Sequence, residues 1–234
     1  MSNLNRRSIQ CSPERIMIEI SDLSKTFGTR TLWRNINLTI SRGEMLALVG
    51  PSGSGKSTLL NCLGLLDKPT SGAIHYKGAE ITGFSPRAIR RFRRDTLGYL
   101  FQSYALIENA TVAENLEVAV KPRRWPSTEG SKAITEALDR VGLAGREKQK
   151  IYHLSGGEQQ RVALARLIVQ QPSLVLADEP TGALDGDNTI MVVDTLREMS
   201  KAGCAVVIAT HDEGVRDQCD TIFTLHKSSL IDAS

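Results

Sequence analysis

The segment Gly50–Thr58, GPSGSGKST, constrains the fold more than any other part of the sequence. It stands between the apolar run Met45–Val49 and the apolar segment Leu59–Leu66. This order predicts a buried strand, a glycine-rich turn and a helix. A helix that begins directly after such a turn has unpaired backbone N–H groups at its N-terminus, and its dipole favours anions there. The segment is therefore predicted to hold the phosphates of a nucleotide.

Each residue type in this phosphate loop has a chemical use. Gly53 and Gly55 permit backbone angles and close approaches that a side chain would prevent. Lys56 can reach the outer phosphates, and the Ser57 hydroxyl can bind Mg²⁺. A flexible surface loop is the alternative, but it does not account for the strand before the loop and the helix after it. The predicted phosphate-binding residues are Gly50, Pro51, Ser52, Gly53, Ser54, Gly55, Lys56, Ser57 and Thr58.

Composition sets few further limits. The chain has 234 residues, of which 41% are hydrophobic, so it can bury the core of one large α/β domain or of one domain with a subdomain. No apolar run approaches the ~20 residues that span a bilayer, and the start Met1–Arg7 lacks the apolar stretch of a secretion signal. A net charge of +3 does not indicate an acidic partner. The cysteines lack metal-type spacing and are expected to be reduced and mostly buried: Cys11, Cys62, Cys204 and Cys219.

Hydrophobic periodicity predicts strands on both sides of the phosphate loop. Alternation in Ile16–Ile20 and Ile36–Ile40 predicts two half-buried strands before it. Strand-like runs return at Leu174–Ala177 and Ala205–Ala209. The helical stretch between them, from about Asp187 to Lys201, gives the spacing of a parallel βαβ unit.

The middle of the chain has a helical pattern. It extends from about residue 103 to 165 and is interrupted at Lys121–Gly130, where two prolines and a glycine predict a loop. This part is a candidate helical subdomain. Residues 1–13 have the composition of a flexible tail.

A pair of carboxylates follows the predicted strand at Leu174–Ala177. Asp178 and Glu179 stand at its carboxyl end, where an open α/β sheet binds its ligand. Asp178 is placed to hold Mg²⁺ with its water shell, whereas Glu179 can orient and polarise the water that attacks the γ-phosphate. A solvated acidic loop is the alternative for the pair alone. With a phosphate loop upstream, the pair predicts a nucleotide hydrolase.

The segment Leu154–Arg166, LSGGEQQRVALAR, distinguishes this chain from other phosphate-loop proteins. It resembles at every position the signature motif of the ATP-binding-cassette (ABC) ATPases, and the resemblance extends from about Ile16 to Leu225. A Ser-Gly-Gly turn that opens a helix is a second anion site, with a free hydroxyl and exposed N–H groups. The alternative is an amphipathic helix that starts at glycine, which accounts for the helix but not for Ser-Gly-Gly-Glu-Gln.

The resemblance implies an α/β fold of the P-loop NTPase type. Such a fold has a RecA-like mixed-sheet core, an N-terminal antiparallel β subdomain and an inserted α-helical subdomain. The implied ABC ATPase domain covers residues 14–226. Within it, residues 14–102 and 167–226 form the catalytic core with the β subdomain, and residues 103–166 form the helical subdomain. Residues 227–234 are a short tail.

Further site residues are implied only by the resemblance. Gln102 resembles the glutamine that contacts Mg²⁺ and the attacking water, and His211 resembles the switch histidine that bonds the γ-phosphate. Asp185, in a loop beginning at Gly182, resembles the acid that couples two sites across a dimer. Taken alone, these residues would indicate only an ordinary glutamine, a structural histidine and a turn. The signature residues of one subunit would complete the ATP site of a second, head-to-tail cassette: Ser155, Gly156, Gly157 and Glu158.

The adenine position departs from the usual pattern of the family. A tyrosine usually stacks on the base, whereas this chain has Phe27 in the segment SKTFG. Phenylalanine can stack on a purine without the hydroxyl, and a core phenylalanine is the alternative. The inference of ATP rather than GTP therefore depends mainly on the resemblance.

Within the family, the chain resembles the ATPases of macrolide-export, lipoprotein-release and bacteriocin-export systems, most closely in the segments 63–67, 101–116 and 177–185. The resemblance implies a separate transmembrane permease, a second cassette subunit and a peripheral position on the cytoplasmic face of a bacterial inner membrane. Near residues 102–116 such cassettes receive a short helix of the permease. Three apolar residues there are candidate contacts or core residues: Tyr104, Leu106 and Ile107.

Other functions remain open from the sequence alone. A non-transport ABC ATPase could regulate a cell-wall hydrolase through a membrane partner or act on DNA or ribosomes, and a phosphate-loop kinase would have no use for the signature helix. The amphipathic pattern around Ile89 and Phe92 favours a solvated charged face over a membrane or nucleic-acid surface for the basic run. That run comprises Arg87, Arg90, Arg91, Arg93 and Arg94.

Overall fold

The computed structural model describes residues 15–121, 125–182 and 186–226, without the side chain of Asp187. Several predicted features lie outside the described residues: the tails at 1–13 and 227–234, the middle of the loop at 121–130, Cys11, and the coupling residue Asp185. The end of that predicted loop is wrong, because residues 127–130 form the first turn of a helix that covers Ser127–Arg140.

Strands and helices alternate along much of the chain. The strands of the described residues are β1 (Ile16–Phe27), β2 (Arg30–Ser41), β3 (Met45–Val49), β4 (Ser71–Tyr76), β5 (Ala79–Glu80), β6 (Leu97–Leu100), β7 (Leu174–Asp178), β8 (Ala205–Ala209) and β9 (Thr221–Thr224). The helices are α1 (Lys56–Leu63), α2 (Pro86–Asp95), α3 (Val112–Val120), α4 (Ser127–Arg140), α5 (Gly156–Gln170), α6 (Gly186–Lys201) and α7 (Glu213–Asp217). A short 3-10 helix covers Ile151–His153.

The first sheet is antiparallel, with the strand order β2-β1-β4-β5. The predicted strands lie within β1 and β2 but extend further, because the residues beyond the alternating runs also pair, as Lys25 does with Trp33 and Phe27 with Arg30. The sequence pattern does not predict β4 and β5. Both are short, and β4 has a single fully buried side chain, that of Ile74, so neither shows sustained alternation.

The second sheet has the order β6-β7-β8-β3-β9, and every neighbouring pair is parallel. Strands β7 and β8 are neighbours joined through α6, which confirms the predicted parallel βαβ unit. Parallel and antiparallel strand pairs, both of which the fold class implies, therefore lie in two separate sheets. Parallel pairing brings the carboxyl ends of β3, β6, β7 and β8 to one edge.

Hydrophobic side chains cover both faces of the parallel sheet, because successive side chains of a strand point to opposite faces. On β8, Val206 and Ile208 belong to a cluster shared with α3, α4, α5 and α6. Its neighbour Val207 belongs to a second cluster shared with β1, β2 and α1. The antiparallel sheet, α1 and α2 therefore form one layer against the parallel sheet, and helices α3 to α7 pack on the opposite face.

Helices α3, α4 and α5 lie between β6 and β7 in the chain. Together with the two sheets, they confirm the predicted α/β fold class. Helix α5 continues without a break through residue 166, so the proposed edge of the helical subdomain lies inside a helix. The domain boundaries stay predictions.

The basic run forms helix α2, on which Phe92 is buried and Ile89 is half-buried against the core. This arrangement confirms the predicted amphipathic helix. Its exposed arginines are Arg87, Arg90, Arg91 and Arg94. Among the described residues, no helix combines the length and the apolar content needed to cross a membrane.

The cysteines of the described residues are free thiols. Cys62 and Cys204 are buried and Cys219 is half-buried. Burial raises the pKa of Cys62 and of Cys204 to about 12, and that of Cys219 to about 11. At neutral pH these thiols are protonated and poorly nucleophilic, as expected of core residues.

Candidate functional site

A cavity of about 1020 Å³ lies where strands of the parallel sheet end, beside the turn between β1 and β2. Residues from distant parts of the chain line it: Phe27, Arg30, Leu32, Gly50, Pro51, Ser52, Gly53, Gly55, Lys56, Ser57, Thr58, Gln102, Asp178, Glu179, Gly182 and His211. The structure thus brings Gln102, Asp178, Glu179 and His211 to the predicted phosphate loop. The remaining loop residue, Ser54, is buried at 1% exposure.

The backbone of the phosphate loop leaves no room for side chains at two glycines. Gly50 has a φ of 153° and Gly55 a φ of 96°, values that other residues rarely adopt. A Cβ atom on Gly50 would lie 2.3 Å from the carbonyl oxygen of Leu225, and one on Gly55 would lie 2.5 Å from Cδ2 of Leu32. Close packing against β2 and the segment after β9 therefore requires glycine at both positions.

Helix α1 begins at Lys56, within this segment, and its N-terminus is open. Its N-cap, Gly55, offers no side-chain hydrogen bond, and the first turn contains no acid. The Lys56 ammonium donates to the carbonyl oxygen of Gly50 at 2.9 Å, which holds a positive charge beside the helix N-terminus. The Ser54 hydroxyl is buried there and has no hydrogen-bond partner among the described residues. Such an arrangement binds anions, phosphates in particular.

Asp178, at the end of β7, carries a carboxyl whose pKa is raised. Burial is the main cause of the increase, and the charge of Glu179 raises the pKa further. A hydrogen bond from Ser57 and the charge of Lys56 lower the pKa, but they do not cancel the increase. A bound cation would stabilise the ionised form of a partly buried carboxyl that lies beside a second carboxyl. Together with the side chain of Gln102, which lines the same cavity, these residues offer the hydroxyl, amide and carboxylate oxygens that Mg²⁺ prefers.

Glu179 leaves the strand with a φ of 46°, a left-handed conformation that costs a non-glycine residue about 1 kcal/mol or more. Its amide donates to the carbonyl oxygen of Ala209 at 2.9 Å, which ties it to the end of β8. Its Oε2 atom lies 2.8 Å from Nδ1 of His211. The glutamate side chain is 17% exposed and the histidine 73%. The structure therefore holds a carboxylate and an imidazole in direct contact at the cavity.

The signature segment lies apart from this cavity, since none of its residues Ser155–Glu158 is among the described residues that line it. Ser155 is the N-cap of α5, and its hydroxyl accepts a hydrogen bond from the Glu158 amide at 3.3 Å. The same hydroxyl lies 3.0 Å from the Glu158 carboxylate. The prediction that the Ser155 hydroxyl is free is therefore wrong, because this hydroxyl takes part in a capping box with Glu158.

Sequence reasoning missed two polar residues of α5 that connect it to the cavity. Gln160, 1% exposed, donates from Nε2 to the carbonyl oxygen of Pro180 at 2.7 Å, one residue beyond Glu179. Arg166 donates to the carbonyl oxygens of Tyr104 at 3.0 Å and Ala105 at 2.7 Å, just after Gln102. The available signal was that polar side chains interrupt the apolar pattern of the helix.

The remaining predicted residues divide between core and surface. Phe27 is 52% exposed and lines the cavity, so the alternative of a core phenylalanine is wrong. Tyr104 and Leu106 are half-buried against the helical cluster, whereas Ile107 is 57% exposed. Of the three candidate permease contacts, Ile107 is the one with a largely free side chain.

Comparison with known proteins identifies the family. The family model described as ABC transporter matches residues 33–182, more than half of the chain. The chain belongs to the ABC transporter family. This cassette is 40% identical over 219 residues to the macrolide export ATP-binding/permease protein MacB of Escherichia coli, a match that covers 92% of the cassette and 34% of MacB. The chain thus spans about a third of the length of that relative.

A second relative is similar in length to the cassette. The uncharacterized ABC transporter ATP-binding protein YvrO of Bacillus subtilis is 36% identical over 219 residues, which cover 92% of the cassette and 96% of YvrO. ABC proteins therefore occur both as long ATP-binding/permease chains and as chains of about this length.

Solved structures agree with the family. A dimeric bacterial ABC transporter cassette, MJ0796, aligns with a TM-score of 0.84 and 36% identity, over 90% of this chain and 94% of that one. The same protein in a dimeric post-hydrolysis state with ADP and phosphate aligns with a TM-score of 0.83 and 34% identity, over 91% and 97%. The cassette is an ABC ATPase domain, as its signature segment predicts.

Proposed function

We propose that this cassette is the ATP-hydrolysing subunit of a bacterial ABC transporter, which dimerises around two ATP molecules and drives a separate membrane permease. The observation that carries the proposal is the meeting of the phosphate loop, Asp178 and the Glu179–His211 pair in one cavity, whose described lining contains no signature residue. Half of an ATP site is present in one chain. The signature of a second chain supplies the other half.

The phosphates of ATP would occupy the phosphate loop, at the open N-terminus of α1 and beside Lys56. The residues that would hold Mg²⁺ are Ser57, Gln102 and Asp178. Bound there, the ion neutralises charge that develops on the phosphate oxygens. The all-oxygen donor set and the raised pKa of Asp178 support this role.

Glu179 is the proposed proton acceptor in hydrolysis. The oxygen of a water molecule attacks the γ-phosphorus, its proton passes to the Glu179 carboxylate, and the bond from the γ-phosphorus to the leaving ADP oxygen breaks. His211 holds the carboxylate through its 2.8 Å hydrogen bond. Because it lines the same cavity, it can also bond the γ-phosphate and respond to its loss.

Replacing Glu179 by glutamine tests this assignment. Glutamine keeps the shape of the side chain but cannot accept the proton, so kcat for ATP hydrolysis should fall by about 10²–10⁴-fold. ATP binding should persist, and an ATP-bound dimer should accumulate in size-exclusion chromatography with light scattering. The exposed Glu80 on β5 offers a matched control, and Glu80→Gln should hydrolyse ATP at the normal rate. Normal hydrolysis by Glu179→Gln would show that the assignment is wrong.

The proposed partner is a polytopic permease, on the cytoplasmic face of a bacterial inner membrane. MacB, an ATP-binding/permease protein, supports it because its chain is about three times as long as the part that matches the cassette. The permease of such a system would decide whether a peptide, an antibiotic, a lipoprotein or another substrate is exported or extracted.

An affinity purification would identify the partner. The Glu179→Gln protein with ATP would be added to detergent-solubilised membranes of the source organism, and Lys56→Ala, with weakened phosphate binding, would serve as the control. ATP-dependent recovery of a polytopic permease, reduced with the control, would support the proposal. Recovery of nucleic acid or ribosomes without a membrane protein would overturn the transport role in favour of a non-transport ABC ATPase.

A further inference from the structure

A buried lysine lies next to the nucleotide cavity without lining it. Lys25, near the end of β1, is 6% exposed, which is rare for lysine unless it is paired. Its ammonium lies 2.7 Å from Oδ2 of Asp67 and donates to the carbonyl oxygen of Lys68 at 2.6 Å. Among the described residues that line the cavity, Lys25 is absent and Phe27 is present.

The same ammonium lies over the ring of Phe27. Nζ of Lys25 is 4.6 Å from the ring centroid, within the range of a cation–π contact. The two residues are separated by one position on β1, and their side chains meet in this contact. Phe27 remains 52% exposed despite this contact. One face of the ring therefore meets the buried cation, and the rest of the ring is free for a ligand.

The cation is held from the segment after α1, the helix that begins at the phosphate loop. Asp67 accepts a second hydrogen bond, from the Lys68 amide at 2.7 Å. Burial opposes ionisation of Asp67, but the hydrogen bonds from Lys25 and the Lys68 amide outweigh it and lower its pKa. The Asp67 carboxyl is therefore ionised at neutral pH. The Lys25–Asp67 pair connects Phe27 with the segment that follows α1.

We propose that Lys25 is a positioning residue for the nucleotide base. The ammonium, held by Asp67 and Lys68, fixes the orientation of the Phe27 ring. It also draws π-electron density toward its own face, so the opposite face becomes a better stacking surface for an electron-rich purine. This inference rests on the proposed function, because it requires the base of ATP to stack on Phe27.

A binding cycle with two ligands tests the inference. In the Glu179→Gln protein, the affinities for ATP and for tripolyphosphate, which has no base, would be measured by calorimetry for Lys25→Met, Phe27→Leu and the double variant. Lys25→Met should weaken ATP binding by about 3- to 10-fold and leave tripolyphosphate binding unchanged. In the Phe27→Leu background the same substitution should have no further effect, because the ring through which it acts is gone. Lys25→Arg should restore ATP binding.

Results other than these would show which part of the inference is wrong. If Lys25→Met weakens ATP and tripolyphosphate equally, or costs the same with and without the ring, the lysine has only a structural role and the inference is wrong. If Phe27→Leu leaves ATP affinity unchanged, the base does not stack there, and both this inference and the proposed role of Phe27 are overturned. The proposed hydrolase function fails separately, through normal turnover by Glu179→Gln.

Discussion

At the scale of single residues, the site depends on two adjacent carboxylates with different surroundings. Asp178 ends a buried strand beside Ser57, and its pKa is raised mainly by burial. Glu179 follows it in a left-handed conformation and contacts His211. The first carboxylate is suited to a cation, and the second is suited to accept a proton.

Asp178→Asn should raise the thermal midpoint of the nucleotide-free, metal-free protein. The folded state binds the Asp178 proton more tightly than the unfolded state, so stability falls as pH rises from the ordinary pKa of 3.8 to the raised value, and it stays lower above that value. Asparagine has no carboxyl to ionise, so the Asp178→Asn protein does not lose this stability as pH rises. Because Asp178 is only partly buried, the gain at pH 7 should be small, roughly 1–3 °C, and it should vanish in acid.

Differential scanning fluorimetry across pH checks this prediction, with the exposed Glu80→Gln as the control. A lower midpoint for Asp178→Asn at pH 7 would contradict the role of burial. The same variant should lose Mg²⁺-dependent ATP hydrolysis, since an amide is a weaker ligand for the ion than a carboxylate.

At the scale of elements, helices α3 and α5 begin in the same way. Thr111 with Glu114, and Ser155 with Glu158, each form a capping box. The two boxes satisfy equivalent orphan N–H groups. The two capping boxes differ in their proposed roles, because only the box of α5 belongs to the signature segment.

These helices provide a matched pair of substitutions. Ser155→Ala and Thr111→Ala should each lower the free energy of unfolding by about 1 kcal/mol, measured by urea titration. Only Ser155→Ala should also reduce ATP hydrolysis, because in the proposed dimer the signature would face the nucleotide of the partner cassette. Equal losses of activity in both variants would indicate that Ser155 acts through stability alone.

At the scale of the whole molecule, the cavity and the signature lie apart among the described residues, so the proposed function needs two chains for one complete site. The described lining residues include the phosphate loop and Glu179 but no residue of the signature. A head-to-tail dimer would form two composite sites, each with the phosphate loop of one chain and the signature of the other.

Mixing two defective chains should restore one site. In a mixed dimer of Glu179→Gln and Ser155→Ala chains, the Ser155→Ala chain contributes an intact phosphate loop and Glu179, and the other chain contributes an intact signature. Phosphate release in the first turnover should therefore exceed the sum of the two separate proteins. If rapid-quench measurements of the mixture give only that sum, each chain works alone and the head-to-tail arrangement is wrong.

Local patterns in the sequence predicted much of this cassette. Apolar runs marked β3, β7 and β8, because strands buried on both faces are continuously hydrophobic, and the glycine-rich segment marked the start of α1. The signature segment led to the family. In contrast, β4 and β5 were missed because short strands with little burial have no clear period.

By itself, the sequence determined which residues could carry the chemistry and on which elements they stand, since turns, caps and periodic burial depend on near neighbours. Only the tertiary structure decided that the ends of β3, β7 and β8 meet. It alone also decided that Gln160 donates to the carbonyl oxygen of Pro180 and that Asp67 holds Lys25 against the exposed Phe27. Strand order and buried contacts join residues far apart in the chain, as Met45 pairs with Val206. Their energies depend on long-range packing, which no local pattern of residues records.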